Sequence, residues 1–322
     1  MRARLLLLLI FSASLLGLAQ ENPPAAPASV PANPTDTPPP PAQPTAPDLT
    51  PDATGALSQQ QMKELFRVVA DKDRENHRRQ RNYTYIERDV QDNLDGKGET
   101  KSTEVKTYEV LEIYGEQVQR LIEKDDKPLN TKDAAKEEEK IQKIIDKRKN
   151  ESDNDRRKRE EKEEKEREDD RKFVNEVSDA YSFKLVGTEL VDGREAWVID
   201  GEPRPGYEPQ VKEAKFLPKF HGRVWIDKSD LQLSKMNVEA IDTVAVGWVV
   251  ARIHKGSRFM MEQMRVNDEV WLPRHVTFKF DARVALLKGY NIDGEQEYRD
   301  YKKFQTTSKI VGMGEVKEPE QK

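Results

Sequence analysis

The sequence predicts a mainly β protein in which about ten antiparallel strands follow one another on one sheet or barrel, with an N-terminal amphipathic helix and an exposed charged helical insertion. Strict alternation of apolar and polar residues supports the strands, most clearly in "VTFKFDARV", residues 276–284. Turn pairs such as Asp95-Gly96 separate these segments. The insertion is indicated by residues 146–172, which contain no aliphatic, methionine or aromatic side chain.

The N-terminus has the three-part pattern of a secretory signal peptide. Arg2 and Arg4 precede an apolar run from Leu5, and the run ends in small residues up to Ala19. The run is shorter than the roughly 20 residues that a membrane-spanning helix needs. The sequence therefore predicts that residues 1–19 are cleaved off on export, and that the mature chain has no transmembrane segment.

Residues 20–56 are predicted to be a Pro-rich disordered tether. The segment is dominated by Pro, Ala and Thr and includes "TPPPPAQPTAPDLTP". Proline fixes φ and lacks a backbone donor, and the segment has too few apolar residues to offset the entropy of ordering. We expect it to act as a spacer.

The first part of the β domain is predicted at residues 57–130. It opens with a helix, because Ser58 and Gln61 have the spacing of a capping box. Four apolar residues then share one helical face: Met62, Leu65, Phe66 and Val69. The segments "YTYIERDV", "EVKTYEVLEIYG" and "QVQRLIEKDDKPL" follow with the period of strands.

A charged helical insertion is predicted at residues 131–172. A modest apolar stripe in "NTKDAAKEEEKIQKII" is followed by favourable ion pairs at a spacing of four residues. Residues 146–172 lack the apolar a and d positions of a coiled coil, and their acids and bases interleave, unlike a nucleic-acid-binding patch. We expect one solvated helix that leaves the domain and returns to it, with "NESDND" as the place for a break. Its role would be that of a spacer or a contact surface for another envelope protein.

The second part of the β domain is predicted at residues 173–308, before a polar C-terminal tail at residues 309–322. Strand-like segments alternate here with turn signals such as Asp192-Gly193. One face of the clearest strand carries the best candidates for an inner wall: Val276, Phe278, Phe280, Ala282 and Val284.

No residue pattern in the sequence indicates a catalytic site. The chain has no cysteine and a net charge of -5, so it offers no thiolate and gives no reason to expect a nucleic-acid partner. Its four histidines are scattered, and nucleophile-elbow, dinucleotide-binding and P-loop patterns are absent. The sequence thus predicts no enzyme, no metal site and no cofactor.

Large apolar residues on the strands suggest a ligand cavity instead. Methionine and tryptophan suit an adaptable apolar site. The candidate lining residues are Trp225, Met236, Val238, Met260, Met264, Trp271, Val276, Phe278 and Phe280. The alternative is an ordinary core, filled by the N-terminal helix.

The order of these segments resembles a known family. A signal peptide, an amphipathic helix, "YTYIERDV", "YEVLEIYGEQVQRLIEKDDKPLN", "GRVWIDKSDLQLSKMNVEA" and "EVWLPRHVTFKFDARVALLKGYN" are similar to the outer-membrane lipoprotein-sorting proteins of Gram-negative bacteria, the LolA/LolB/LppX-like superfamily. The similarity covers roughly residues 57–305 apart from the charged insertion. It implies an incomplete antiparallel β-barrel of the α+β type, closed by helices around an apolar cavity for acyl chains.

The resemblance implies a non-enzymatic periplasmic protein that binds a lipid or an acylated lipoprotein between the concave sheet face and the N-terminal helix. Two other functions stay open on the residues alone. One is an envelope scaffold with a filled core that uses the charged helix as a contact surface. The other is a secreted hydrolase, for which no nucleophile–base arrangement is visible.

Overall fold

A computed structural model describes residues 47–114, 116–210, 214–246, 251–284 and 288–304. The predicted signal peptide, most of the predicted tether and the predicted C-terminal tail lie outside these residues. Residues 47–56, which the sequence assigns to the tether, contact the domain. Leu49 is buried in the main hydrophobic cluster, and the side-chain amide of Gln61 donates to the carbonyls of Asp48 and Thr50 at 3.1 and 2.8 Å.

The described residues form three α-helices, one short 3-10 helix and fourteen strands. The helices are α1 (Gln59–Gln80), α2 (Thr131–Lys149) and α3 (Asp153–Ala180), and the 3-10 helix is Leu217–Lys219. The strands are β1 (Ala56–Leu57), β2 (Tyr83–Leu94), β3 (Thr100–Ile113), β4 (Glu116–Lys124), β5 (Lys127–Pro128), β6 (Tyr181–Val191), β7 (Arg194–Pro203), β8 (Phe220–Asp227), β9 (Leu233–Ala240), β10 (Val244–Val246), β11 (Ala251–Ile253), β12 (Arg258–Val266), β13 (Val270–Val284) and β14 (Lys288–Lys303).

All fourteen described strands belong to one antiparallel sheet. Its order is β1-β6-β7-β8-β9-β12-β13-β14-β2-β3-β4-β5, and β10 and β11 form a small ribbon attached to β13. The predicted mainly β fold is confirmed. Ten strands have eight residues or more, which matches the predicted number, and the other four have two or three residues. The end strands β1 and β5 are not paired with each other, so the sheet stays open and the barrel is incomplete.

Helix α1 begins where the capping-box pattern predicts. The hydroxyl of Ser58 accepts from the backbone N–H of Gln61 at 3.2 Å, and the Gln61 side chain accepts from the backbone N–H of Ser58 at 2.8 Å. These two bonds satisfy donors that a helix start otherwise leaves unpaired. Met62 and Leu65 are fully buried on the side of the helix that faces the sheet.

The charged insertion forms two helices rather than one. Helix α2 ends at Lys149 and α3 begins at Asp153, so the break falls in the predicted segment. Helix α2 packs against β4 through Ile141, which is buried with Ile113 and Val118. All described side chains of residues 146–172 are exposed or half-buried, as expected for a solvated block.

Helix α3 extends beyond the charged block, which differs from the prediction. Residues from 173 onward were expected to begin the second β part, yet the chain stays helical to Ala180 and the strand starts at Tyr181. The reason is the spacing of Phe173, Val177 and Ala180, which puts the three side chains on one helical face. All three pack in the main hydrophobic cluster.

Among the described residues, no helix combines the length and apolarity that a membrane span requires.

Candidate apolar binding cavity

Helices α1 and α3 cover one half of the sheet. They contact each other, and both contact β6. Lys63 of α1 forms an ion pair with Asp179 of α3 at 2.8 Å, and the ring of Phe66 meets that of Phe183 on β6 edge to face, with centroids 5.4 Å apart. Edge-to-face packing is a favourable arrangement for two aromatic rings. The cover is therefore held to the sheet by apolar contacts.

The C-terminal half of α3 is anchored to the chain that follows β7. The buried carboxylate of Glu176 accepts from the hydroxyl of Tyr207 at 2.8 Å and from the backbone N–H of Gln210 at 3.0 Å. Burial, together with the bond to Glu176, raises the pKa of Tyr207 to about 12. These contacts fix the position of the helix face that carries Phe173 and Val177.

An apolar cavity of about 200 Å³ lies between these helices and the sheet. Seven of the ten phenylalanines of the chain line it. The described lining consists of Phe66, Phe173, Val177, Tyr181, Phe183, Ile199, Gly201, Phe216, Leu217, Phe220, His221, Gly222, Val224, Met236, Val238, Ser257, Arg258, Phe259 and Phe280. The chemistry of this lining suits a hydrocarbon group and offers little for a polar one.

Two glycines keep part of this space open. A Cβ on Gly201 would lie 3.2 Å from the ring of Phe183, and one on Gly222 would lie 3.2 Å from the carbonyl oxygen of Asn237. Gly201 and Gly222 are cross-strand partners on β7 and β8. The sheet therefore presents a patch of bare backbone to the cavity at this point.

The polar residues of the lining have partners elsewhere. The hydroxyl of Tyr181 donates to the carbonyl of Leu217 at 2.7 Å. His221 and Arg258 alternate along their strands with lining residues, so their side chains are directed to the other face of the sheet. There Arg258 pairs with Glu239 at 3.2 Å, and His221 lies 4.0 Å from the same carboxylate. The interior of the cavity is thus essentially apolar.

Three of the residues proposed from the sequence line this cavity: Met236, Val238 and Phe280. Two more, Val276 and Phe278, lie on the same face beside it. They are buried in a cluster with Phe259 and Ile292, against which Met236 and Phe280 also pack. These five residues of β9 and β13 thus lie on the face of the sheet that carries the cavity.

The structure does not bring the other four proposed residues to the cavity. Trp225 lies on the opposite face of the sheet, packed with Ala196 and Val198. Trp271 donates its indole N–H to Asp230 at 2.9 Å, and the Arg194 guanidinium lies over its ring.

The two proposed methionines of β12 are also placed elsewhere. Met260 alternates with the lining residue Phe259, so it is directed to the other face. Met264 follows a register shift between Glu262 and Gln263, and it packs against a separate cluster that includes Leu272.

Several lining residues escaped the sequence analysis. Phe173 and Val177 were assigned to a β segment, although their helical spacing was a usable signal. Phe216 lies just before a 3-10 helix and Leu217 is its first residue, where no periodic pattern exists. Phe259 also lines the cavity, although its neighbour Met260 was the residue proposed from the sequence.

Helix α1 carries two desolvated titratable residues beyond the cavity. Asp73 follows Phe66 and Val69 at helical spacing on the same side of the helix. Burial raises the pKa of Asp73 to about 6 and lowers the pKa of His77 below its ordinary value. The same helix end is fixed by Asn76, whose side chain exchanges two hydrogen bonds with the backbone of Trp271 at 2.6 and 2.9 Å.

The inner face becomes polar on the other half of the sheet. Tyr298 packs at the edge of the apolar wall, and its ring centroid lies 5.9 Å from that of Tyr85. Burial raises the pKa of both tyrosines, so neither ionises in the ordinary range. Beyond them, buried Glu87 accepts from the side-chain amide of Gln119 at 2.7 Å. In the part of the chain that the structure describes, no group of three or more metal-binding side chains is found.

No protein-family model matches the chain, and no curated protein matches it significantly. Solved structures do. A domain of an outer-membrane lipoprotein-sorting protein from Vibrio parahaemolyticus matches 77% of this chain over 95% of its own length, with 10% identity and a TM-score of 0.33. A LolA superfamily protein from Nitrosomonas europaea matches 69% of this chain over 86% of its own length, with 10% identity and a TM-score of 0.27.

A complex of MucA and MucB from Pseudomonas aeruginosa supplies a further match, which covers 74% of this chain and 94% of the matched chain at 10% identity and a TM-score of 0.21. At these identities and TM-scores, the likeness assigns no role to any residue of this chain. Lipoprotein-sorting proteins, the family that the sequence resembles, are among the solved structures to which this chain is similar.

Proposed function

We propose that this protein is an exported, non-enzymatic binder of a lipid or an acylated protein in the periplasm of a Gram-negative bacterium. The observation that carries the proposal is the apolar cavity between the helical cover and the inner sheet face. The hydrocarbon chain of the ligand would lie against Val238 and Phe280, with the rings of Phe66 and Phe173 above it. The signal-peptide pattern of residues 1–19 supports the envelope location.

The size of the cavity sets a condition on this function. At about 200 Å³ it is smaller than the roughly 300–1,000 Å³ of most ligand sites. A full acyl chain would need α1 or α3 to move outward, whereas a short chain would fit with side-chain rearrangement alone. The small volume also favours a second candidate function. The protein would then be an envelope scaffold, and this space would be a packing defect in a filled core.

A volume-filling variant separates the two functions. Val238→Phe places a larger side chain in the cavity, and Val186→Phe makes the same exchange at an exposed position of β6. Binding of dodecanoic acid and of a lysophospholipid is measured by calorimetric titration of the mature chain. We expect Val238→Phe to weaken binding by about tenfold or more and Val186→Phe to leave it unchanged.

Native mass spectra of the unmodified protein distinguish a lipid binder from a scaffold. Lipid retained in native mass spectra of protein isolated from the producing organism's envelope supports the binder. If neither probe binds and the native spectrum shows only the bare chain, the scaffold function replaces the binder. Direct binding is needed because Trp225 and Trp271 do not line the cavity, so their fluorescence is a poor reporter of its contents.

A further inference from the structure

A second cleft lies on the other half of the sheet, between α2 and strands β3 and β4. Its volume is about 390 Å³, which is within the usual range of ligand sites. The described residues that line it are Tyr108, Gln117, Val118, Gln119, Lys140, Ile144, Lys147 and Arg148. The cleft exists because α2, the first helix of the charged insertion, is held on β4 by the buried side chain of Ile141.

The cleft lining has a one-sided charge. Helix α2 carries both acids and bases, but it contributes Lys140, Lys147 and Arg148 to the cleft, at the helical spacing that puts them on one face. None of the eight described lining residues is acidic. Two carboxamides, Gln117 and Gln119, lie opposite the bases. Such a set of donors favours an anion over a cation or a neutral molecule.

Nearby carboxylates do not cancel this charge. Lys140 pairs with Glu137 at 2.7 Å and also donates to the carbonyl of Gln119 at 3.0 Å. Glu151 is shared between Arg148 at 3.0 Å and Arg159 at 2.9 Å. A hydrogen bond from Arg159, with Arg148 also close, lowers the pKa of Glu151, so this carboxylate stays ionised.

The charge of the lining itself is positive. Three of the described lining side chains are bases, and two acids outside the lining, Glu137 and Glu151, pair with Lys140 and Arg148. Among the described residues, none forms an ion pair with Lys147. Glu87, a further acid next to the cleft, is buried and accepts a hydrogen bond from the side-chain amide of Gln119. The C-terminal dipole of α2 accounts for a preference for bases in the last turn, but not for Lys140, which lies more than two turns before the end.

We propose that this cleft binds a phosphate group carried by a larger molecule. Phosphate monoesters carry a charge of about -1.5 to -2 near neutral pH, which suits a described lining that contains three bases and no acid. Lysine acts toward phosphate as a point charge and arginine as a fork of donors, and the cleft offers both. Tyr108, Val118 and Ile144 give the rest of the molecule an apolar floor. This site is separate from the apolar cavity, and it gives the charged insertion a binding role.

The experiment uses the mature chain and two kinds of probe, because the phosphate could belong to a soluble molecule or to a lipid. Glycerol 3-phosphate is titrated calorimetrically, and vesicles of phosphatidic acid, a lipid phosphate monoester, or of phosphatidylcholine are tested by co-sedimentation. The test variant is Lys140→Gln with Lys147→Gln. The control variant is Lys136→Gln with Lys143→Gln, which removes two charges from α2 outside the cleft, where these lysines pair with Asp133 and Glu139.

We expect the test variant to weaken phosphate binding by about tenfold or more, and the control variant to change it by less than about twofold. Binding of glycerol 3-phosphate identifies a soluble ligand, and binding of phosphatidic acid vesicles alone identifies a lipid source. Equal losses in both variants would show diffuse attraction to a charged helix and would overturn the site. Failure of every probe to bind the unmodified chain would overturn it as well, whatever the apolar cavity binds.

Discussion

The ring of Phe278 on β13 lies directly over Gly294, its cross-strand partner on β14. A Cβ at position 294 would collide with this ring. The ring also stacks on that of Phe280, with centroids 5.8 Å apart and an angle of 26° between the planes. Because Gly294 has no side chain, the ring of Phe278 can pack directly on the backbone of β14, in the apolar wall beside the cavity.

Gly294→Ala should destabilise the protein by about 1–3 kcal/mol, since the Phe278 ring must leave its position in a packed wall. Gly96→Ala is the matched control, because a Cβ there meets no atom within 4 Å. Urea denaturation of both variants measures the difference. Equal stability of the two would show that the wall has room for the ring to move.

The two stacked phenylalanines should respond differently to truncation. Phe278 is buried and does not line the cavity, so Phe278→Ala should cost the full amount of about 3–5 kcal/mol for emptying a filled core site. Phe280 lines the cavity and is only half-buried, so Phe280→Ala should cost less and should enlarge the space for ligand. Denaturant melts with and without dodecanoic acid measure both effects. A larger cost for Phe280→Ala would contradict this assignment of wall and cavity.

Asp73 should make stability depend on pH. Its pKa is raised to about 6 in the folded protein, against about 4 in an unfolded chain. The folded state therefore keeps Asp73 protonated up to a higher pH than the unfolded chain does. The stability that depends on this proton is fully present below about pH 4 and is lost as the pH rises to about 6. Asp73→Asn should be close to neutral at pH 4 and stabilising by about 1–3 kcal/mol at pH 8.

Two comparisons check the Asp73 prediction. Asp71→Asn changes an exposed carboxylate that pairs with Arg67 and Arg74, and it should give no such gain at pH 8. His77 is present in both variants, and its lowered pKa acts in the opposite direction, reducing stability as the pH falls below about 6.5. The test is therefore the difference between each variant and the parent at each pH. A gain at pH 8 that persists at pH 4 would contradict the assignment.

Ile141 should be the main apolar anchor of α2 on the β domain. Ile141 is 1% exposed, and Ile141→Ala should destabilise the protein by about 2–5 kcal/mol. Ile145 is half-buried at the same contact, so Ile145→Ala should cost clearly less. Thermal melts provide the comparison. If both changes are equally mild, Ile141 does not hold α2 on β4, which would contradict the reason given for the existence of the phosphate cleft.

The mature protein should begin at Gln20. This prediction follows from the basic residues and the apolar run of the first 19 residues. N-terminal sequencing of protein recovered from a periplasmic extract measures it directly. A chain that still starts at Met1 would contradict the export part of the proposed function.

The sequence could predict the elements whose signals are local. The hydrogen bonds of Ser58 and Gln61 follow from two side chains three residues apart, and alternation places Val276 and Phe278 on one face of β13. Both faces of β12 carry large apolar residues, so the sequence of this strand does not show which face is the inner one. That choice depends on how the whole sheet is assembled. That is why Met260 was proposed when its neighbour Phe259 lines the cavity.

Two further errors have distinct physical causes. The register shift next to Gln263 interrupts the regular alternation of side chains between the two faces of the sheet. The face on which Met264 lies therefore cannot be found by counting residues from Met260. The helical end of α3 was missed because charged residues dominate the window before Phe173. The cavity is lined by residues of a helix and by residues of strands that are distant in sequence. No local sequence pattern predicts that these residues lie close together.

The pairing of β14 with β2 has a consequence for how the chain reaches its native state. The side-chain amide of Gln296 donates to Asp89 across 207 positions of sequence, in the middle of the sheet. Contacts between such distant residues form slowly, because a long loop must close before any of them contributes. The two halves of the sheet can join only after β14 has been synthesised. Until then the edges of β13 and β2 remain open to other strands, and aggregation competes with folding during that interval.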